Sequence, residues 1–192
     1  MIQQTFDRFS SIIPIERVWV VTSAKYKEIV AEQLSGINPQ HILLEPCMRN
    51  TAPCIAYVST KIAKEDADAV MVVSPSDHLV TDVQTFGKAI NRGLKYVANG
   101  NVILTLGMNP TRPETGYGYI QSGNLVEDAE NMPIYKLHAF KEKPNLEVAK
   151  QYLAEGGFTW NSGLFLWNAK TVLSELQTHA PQIMSVIDKM QP

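Results

Sequence analysis

Five short stretches place polar side chains where an α/β chain could do chemistry. Ser74-Pro75-Ser76-Asp77-His78 follows the apolar run at 69–73, AVMVV. A carboxylate at the tip of a buried strand suits Mg²⁺, which takes hard oxygen ligands and shares them with phosphates. The same Asp77 would serve equally well to turn the chain toward a helix. His78 reads as a structural or supporting partner, since no other histidine lies at ligand spacing. Glu45, Arg49, Asn50 and Thr51 lie between a strand end and a helix start. Free N–H groups there can meet a base or a phosphate, although capping by Asn50 or Thr51 is the plainer reading.

In the segment 112–120, RPETGYGYI, Gly116 and Gly118 flank an aromatic. Glycine lets backbone approach a ligand closely, and a turn or bulge is the alternative. In FKEKP at 140–144, Glu142 could accept from sugar hydroxyls and Lys143 could meet a phosphate as a point charge, or both close a strand as a solvated charge run. Asn161-Ser162-Gly163 is a polar notch in the otherwise apolar FTWNSGLFLW. Its side chains need hydrogen-bond partners, from ligand, water or the chain itself, and Asn161 could bond its own backbone in a turn. Trp160 and Trp167 read as core.

The elements that must position these residues alternate helical and strand periods. Helices are predicted at 2–13, 24–34, 52–65, 83–98, 146–154 and 169–177, and strands at 17–22, 41–44, 69–73, 101–106, 117–121, 134–141 and 163–167. Pro53 falls in a first helical turn, where it is tolerated, and Asp82 is a good N-cap. Strand-helix alternation with short connections implies right-handed crossovers and a parallel sheet covered on both faces. The fold class is therefore a Rossmann-like three-layer α/β/α sandwich with a mostly parallel central sheet. In such sheets ligands bind beyond the carboxyl ends of the strands. Yet the chain opens in a helix, and no Walker loop or GxGxxG is present.

The 192 residues include 45% apolar and 19% charged side chains. That balance excludes disorder as the main state, and the length suits one domain. A net charge of −2 gives no electrostatic footprint for nucleic acid or an anionic membrane. No apolar run reaches membrane-spanning length. Cys47 and Cys54 fit neither a CxxC redox pair nor a zinc framework, and read as small buried thiols of a reduced cytoplasm.

Taken in order, EPxxRNTAP, SPSDH, TGYGYI, FKEKP and WNSGLF resemble the mannose-1-phosphate guanylyltransferases over nearly the whole chain. The resemblance implies that GTP and mannose 1-phosphate give GDP-mannose and pyrophosphate, by in-line attack of the sugar phosphate on the α-phosphorus. It implies Mg²⁺ as cofactor with Asp77 as its ligand, and Asp77 and Lys143 as catalytic residues, Lys143 meeting the sugar phosphate. Glu45, Arg49, Asn50 and Thr51 would form the guanine-side wall, and Gly118, Glu142 and Asn161 would hold the mannose. The implied partners are these nucleotides and sugars, with a homodimer as the candidate assembly.

Members of that family open with a strand and a GGxGTRLWPLS loop, then PKQF, and carry a later aspartate as a second metal ligand. None of these falls within residues 1–192. The expectation is a partial nucleotidyltransferase domain over 1–192, an internal fragment inactive alone. Two other readings stand beside the enzyme: a noncatalytic nucleotide-sugar-binding or regulatory module, and a pyrophosphorylase for another sugar nucleotide.

Overall fold

The computed structural model describes residues 1–45, 49–129 and 131–190. Its elements run α1 (Ile2–Ser10), β1 (Val20–Ser23), α2 (Lys27–Gln33), β2 (Ile42–Glu45), α3 (Thr51–Glu65), β3 (Val70–Val73), α4 (Val83–Ala98), β4 (Leu104–Met108), β5 (Tyr119–Glu127), β6 (Ile134–Lys141), α5 (Leu146–Glu155), β7 (Phe158–Asn168), α6 (Ala169–His179) and α7 (Pro181–Lys189). The chain divides into two compact units: Met1–Leu104 with Leu166–Pro192, and Thr105–Phe165.

In the first unit β1 and β2 pair in parallel, Val20 opposite Ile42 and Ser23 opposite Glu45. Phe6, Val18, Val30, Leu34, Ile37 and Ile42 form the core beside this pair. The strand β3 pairs instead with β7, whose last residues belong to this unit. Helix α4 buries Phe86, Ile90, Gly93 and Val97, one face at helical spacing. Asp82 caps it, its Oδ1 accepting the Thr85 N–H at 2.9 Å. Gly93 lets that helix lie close: a Cβ there would stand 2.9 Å from Leu166 Cδ2 and 3.1 Å from Leu104 Cδ2. A second small core joins Ala56 of α3 to Met184 and Ile187 of α7.

The second unit is built on β5, which runs antiparallel to both of its neighbours. Strand β5 pairs with β6 on one side and with β7 on the other, and β4 also pairs with β7. Tyr119, Ala149, Phe158 and Trp160 form its core. Asn145 caps α5 through the Val148 N–H at 2.9 Å.

Several boundaries differ from the sequence expectation for local reasons. The first helix ends at Ser10 rather than 13, because Pro14 disfavours helical backbone in the residue before it. The helix expected at 24–34 is a 3₁₀ turn at Ala24–Tyr26 followed by α2. The strand expected at 163–167 starts at Phe158 and alternates buried and half-buried positions through the polar notch. Hydrogen bonds to Asn161 Oδ1 and from Ser162 Oγ hold the notch, and the strand does not break there. Trp160 and Trp167 are core, as expected. Cys54 is only half-buried, which corrects the reading of two buried thiols, and Cys47 lies outside the described residues.

Candidate functional site

Glu45, Asp77, Glu142 and Lys143 fall at or beyond the carboxyl ends of their strands, whereas Gly118 lies at the amino end of β5 and Asn161 inside β7. Glu45 is the last residue of β2 and Asp77 lies four beyond β3. Gly118 directly precedes β5, and Glu142 and Lys143 directly follow β6.

In the first unit, Glu45 and Arg49 line one cavity of about 370 Å³ with Pro53 and Tyr57 of α3 and the apolar face of α7. Cys54 stands beside Glu45. Burial, then the Glu45 carboxylate nearby, push its thiol up to about 11. The thiol is therefore protonated near neutral pH. Asn50 occupies the N-cap of α3 with a φ of 69°, and its side chain makes no capping bond. With a ψ of −171° this is not the left-handed helical region that asparagine favours but one almost confined to glycine, so the backbone at Asn50 is strained. Capping by Asn50, the plainer reading of the sequence, is thus not what its side chain does. Pro46 and Met48 of the same motif lie outside the described residues.

The loop carrying Asp77 is held from α1. Thr5 Oγ1 donates to the Ser76 carbonyl at 3.2 Å, and Arg8 Nη1 donates to the His78 carbonyl at 3.4 Å. Arg8 is buried, 5.1 Å over the Phe86 ring, and burial lowers its pKa. Two carbonyls on either side of Asp77 are thereby fixed, while the Asp77 carboxylate itself is 78% exposed. His78 Nε2 lies 4.0 Å from Asp77 Oδ1, the supporting position read from sequence. Sequence reasoning assigned nothing to Thr5 and Arg8. An arginine on the buried face of an amphipathic helix was the available signal.

The second unit brings Gly118, Glu142 and Asn161 together. The Asn161 N–H donates to the Gly118 carbonyl at 2.8 Å. A Cβ on Gly118 would stand 2.9 Å from Glu142 Oε2 and 3.0 Å from Phe140 Cζ. Only a residue without a side chain lets both pack there. The single Thr105 hydroxyl proton goes to the Leu164 carbonyl at 2.8 Å, and its Oγ1 lies 3.4 Å from Asn161 Oδ1, which accepts from the Gly163 N–H at 3.1 Å. That is the backbone-bonded turn weighed from sequence, but it engages only the oxygen, leaving the Nδ2 donors free among the described residues. Ser162 Oγ donates to the Leu106 carbonyl at 2.7 Å, which accounts for the rest of the notch. Lys143 Nζ lies 3.5 Å from Glu142 Oε1, and both side chains are more than half exposed. Lys143 holds a left-handed φ of 41°, which sets its direction apart from the strand before it.

The cluster thus presents a carboxylate, a carboxamide donor pair, an ammonium and close-approach backbone. Such a set can hold a polyhydroxyl ligand carrying a negative charge. Among the described residues there is no group of three or more His, Cys, Asp or Glu placed to hold a metal, and no helix long and apolar enough to cross a membrane.

The nucleotidyl transferase family model matches residues 1–191. A mannose-1-phosphate guanylyltransferase of Escherichia coli K12 is 37% identical over 193 residues, covering 98% of this chain and 40% of its own length. One from Klebsiella pneumoniae is 39% identical over 186 residues, covering 96% of this chain and 39% of its own. The chain therefore spans about two fifths of these curated relatives. Among solved structures, a mannose-1-phosphate geranyltransferase from Thermus thermophilus matches with a TM-score of 0.86 at 28% identity, over 98% of this chain and 53% of that one. A mannose-6-phosphate isomerase from Helicobacter pylori matches at 0.82 and 29%, over 97% and 68%.

Proposed function

The chain belongs to the nucleotidyl transferase family, and from that premise we propose that it serves the synthesis of GDP-mannose and pyrophosphate from GTP and mannose 1-phosphate. The observation that carries the reading is the convergence of Gly118, Glu142 and Asn161. The names of the relatives at 37–39% identity support it.

The second unit supplies the acceptor side. Glu142 accepts from mannose hydroxyls, the Asn161 amide donates to them, and Gly118 leaves the room in which Glu142 stands beside it. Lys143 holds the sugar phosphate as a point charge. The first unit supplies the nucleotide side. Glu45, Arg49, Asn50 and Thr51 line the guanine, where a carboxylate acceptor suits a base edge rich in N–H donors.

Asp77 fits a Mg²⁺ ion. Its carboxylate is exposed and its loop is fixed on both sides. A single carboxylate suits an ion that keeps several waters and binds substrate phosphates. When bound there, the ion would offset charge on the phosphates. In the reaction a sugar phosphate oxygen forms a bond to the α-phosphorus of GTP, and the bond to pyrophosphate breaks. No covalent enzyme intermediate is needed, so the side chains act by positioning and electrostatics.

The test is ligand-induced thermal stabilisation of this chain with Mg²⁺, using GDP-mannose, GTP, mannose 1-phosphate, UDP-N-acetylglucosamine and dTDP-glucose. At a hundredfold excess over Kd, GDP-mannose should stabilise the chain by about 2.7 kcal/mol, raising Tm by roughly 5 to 10 °C. Asp77→Asn should remove the Mg²⁺-dependent part of that shift. Stronger stabilisation by another sugar nucleotide, or none by any ligand, would refute the reading for this chain.

A further inference from the structure

The segment before β5 is held by a device that no role above uses. Arg112 Nε and Nη2 both donate to Glu114 Oε2, at 3.2 and 2.9 Å. That leaves Glu114 Oε1 to accept the Gly116 N–H at 3.0 Å. The backbone closes the same turn, with the Glu114 N–H donating to the Arg112 carbonyl at 3.0 Å and the Tyr119 hydroxyl to the Glu114 carbonyl at 2.9 Å. The Arg112 guanidinium also lies 5.3 Å over the Trp160 ring, against which Tyr117 packs edge-on at 5.4 Å. Trp160 directly precedes Asn161, whose N–H holds the Gly118 carbonyl. One guanidinium therefore touches β7 through Trp160 and the loop through Glu114, and both paths meet at Gly118 and Asn161.

We propose that Arg112 is a positioning residue for the sugar pocket, acting through Glu114 to fix the Thr115–Gly118 loop against β7. This rests on the mannose reading of Gly118, Glu142 and Asn161. An exposed ion pair ordinarily contributes little to global stability, and Arg112 is 57% exposed. Its planar fork gives something else: a fixed distance between a carboxylate and an indole face. A lysine could supply neither the rigid pair of donors that converges on Glu114 Oε2 nor the flat stack on the indole. The two partners shift in the matching sense. Glu114 is held below the usual carboxylate range, first by the Gly116 N–H and then by Arg112, and Arg112 is raised by Glu114.

The experiment is a double-mutant cycle with Arg112→Gln and Glu114→Gln. It is read by calorimetric titration with mannose 1-phosphate, by hydrogen exchange at the Gly116 amide, and by urea unfolding. Arg112→Gln should weaken binding about 10-fold, the scale of one weakened hydrogen bond to a charged group. It should speed Gly116 exchange by a similar factor and leave the unfolding midpoint nearly unchanged. The double variant should bind no more weakly than the weaker single one, because the two residues act as a unit. Binding by Arg112→Gln equal to wild type overturns the positioning role alone. Additive losses in the cycle overturn it too, since they mean that Arg112 touches ligand directly. No binding of mannose 1-phosphate by the wild-type chain overturns the sugar-pocket reading, and the positioning role with it.

Discussion

Replacing Gly118 by alanine isolates the sugar pocket from the fold. The new methyl would meet Glu142 Oε2 at 2.9 Å and Phe140 at 3.0 and 3.2 Å. Ordinary van der Waals contact requires the carboxylate to retreat by about 0.5 Å. Gly118 does not hold a left-handed φ, so the backbone accepts alanine. The Glu142 side chain is 60% exposed and Phe140 44%, so both can move toward solvent. Overpacking a closed core costs about 1–3 kcal/mol; here the cost should stay under about 1 kcal/mol. Binding should suffer more. Losing one hydrogen bond to a charged group costs about 1.5–3 kcal/mol, which is about 10- to 100-fold in affinity.

The assay pairs calorimetric titration of mannose 1-phosphate with urea unfolding, for Gly118→Ala, Glu142→Ala and the double variant. The single losses should not add, because the methyl acts by moving Glu142. Wild-type affinity in Gly118→Ala, or additive losses in the double variant, would refute the reasoning.

Gly107→Ala makes the opposite case: its Cβ would stand 2.8 Å from Thr159 Cβ, and a β-branched neighbour cannot rotate away. It should destabilise the second unit by about 1–3 kcal/mol in urea unfolding. Asp82→Ala removes the cap on α4 and should lower Tm by about 2 to 4 °C. The Thr85 N–H holds Asp82 below its ordinary range. Its stabilisation is thus full above the unfolded-state value and is lost as pH falls through the folded one, so the difference in Tm from wild type should shrink in acid. Cys54, with its thiol pushed up to about 11, should alkylate at least about 10-fold more slowly at pH 8 than in urea. Glu45→Gln should speed it in the native chain, as site-resolved mass spectrometry would show.

The helix and strand order was largely legible, because short apolar runs such as VMVV and one-sided helices such as α4 stand out in the sequence, although β3 buries only Met71 and leaves its valines half-buried. The caps at Asp82 and Asn145 sit where their short oxygens can reach the third N–H onward. Long-range support was less legible. Nothing local to Thr5 or Arg8 says that their partners are carbonyls 71 and 70 positions away. The strand through Asn161 looked interrupted because nothing local says that the Ser162 hydroxyl finds the Leu106 carbonyl on another strand, while Asn161 takes the Gly163 N–H. In RPETG the arginine and glutamate stood two apart in plain view. Their meaning came from Gly116 and Trp160, one local and one distant.

The most direct test of the sugar-pocket assignment is a titration of mannose 1-phosphate into the ¹⁵N-labelled chain, following assigned backbone amides. The account predicts saturable shifts at Gly118, Glu142, Lys143 and Asn161, with amides of α2 unmoved. Saturable shifts confined to other residues, or none at millimolar ligand, would contradict it.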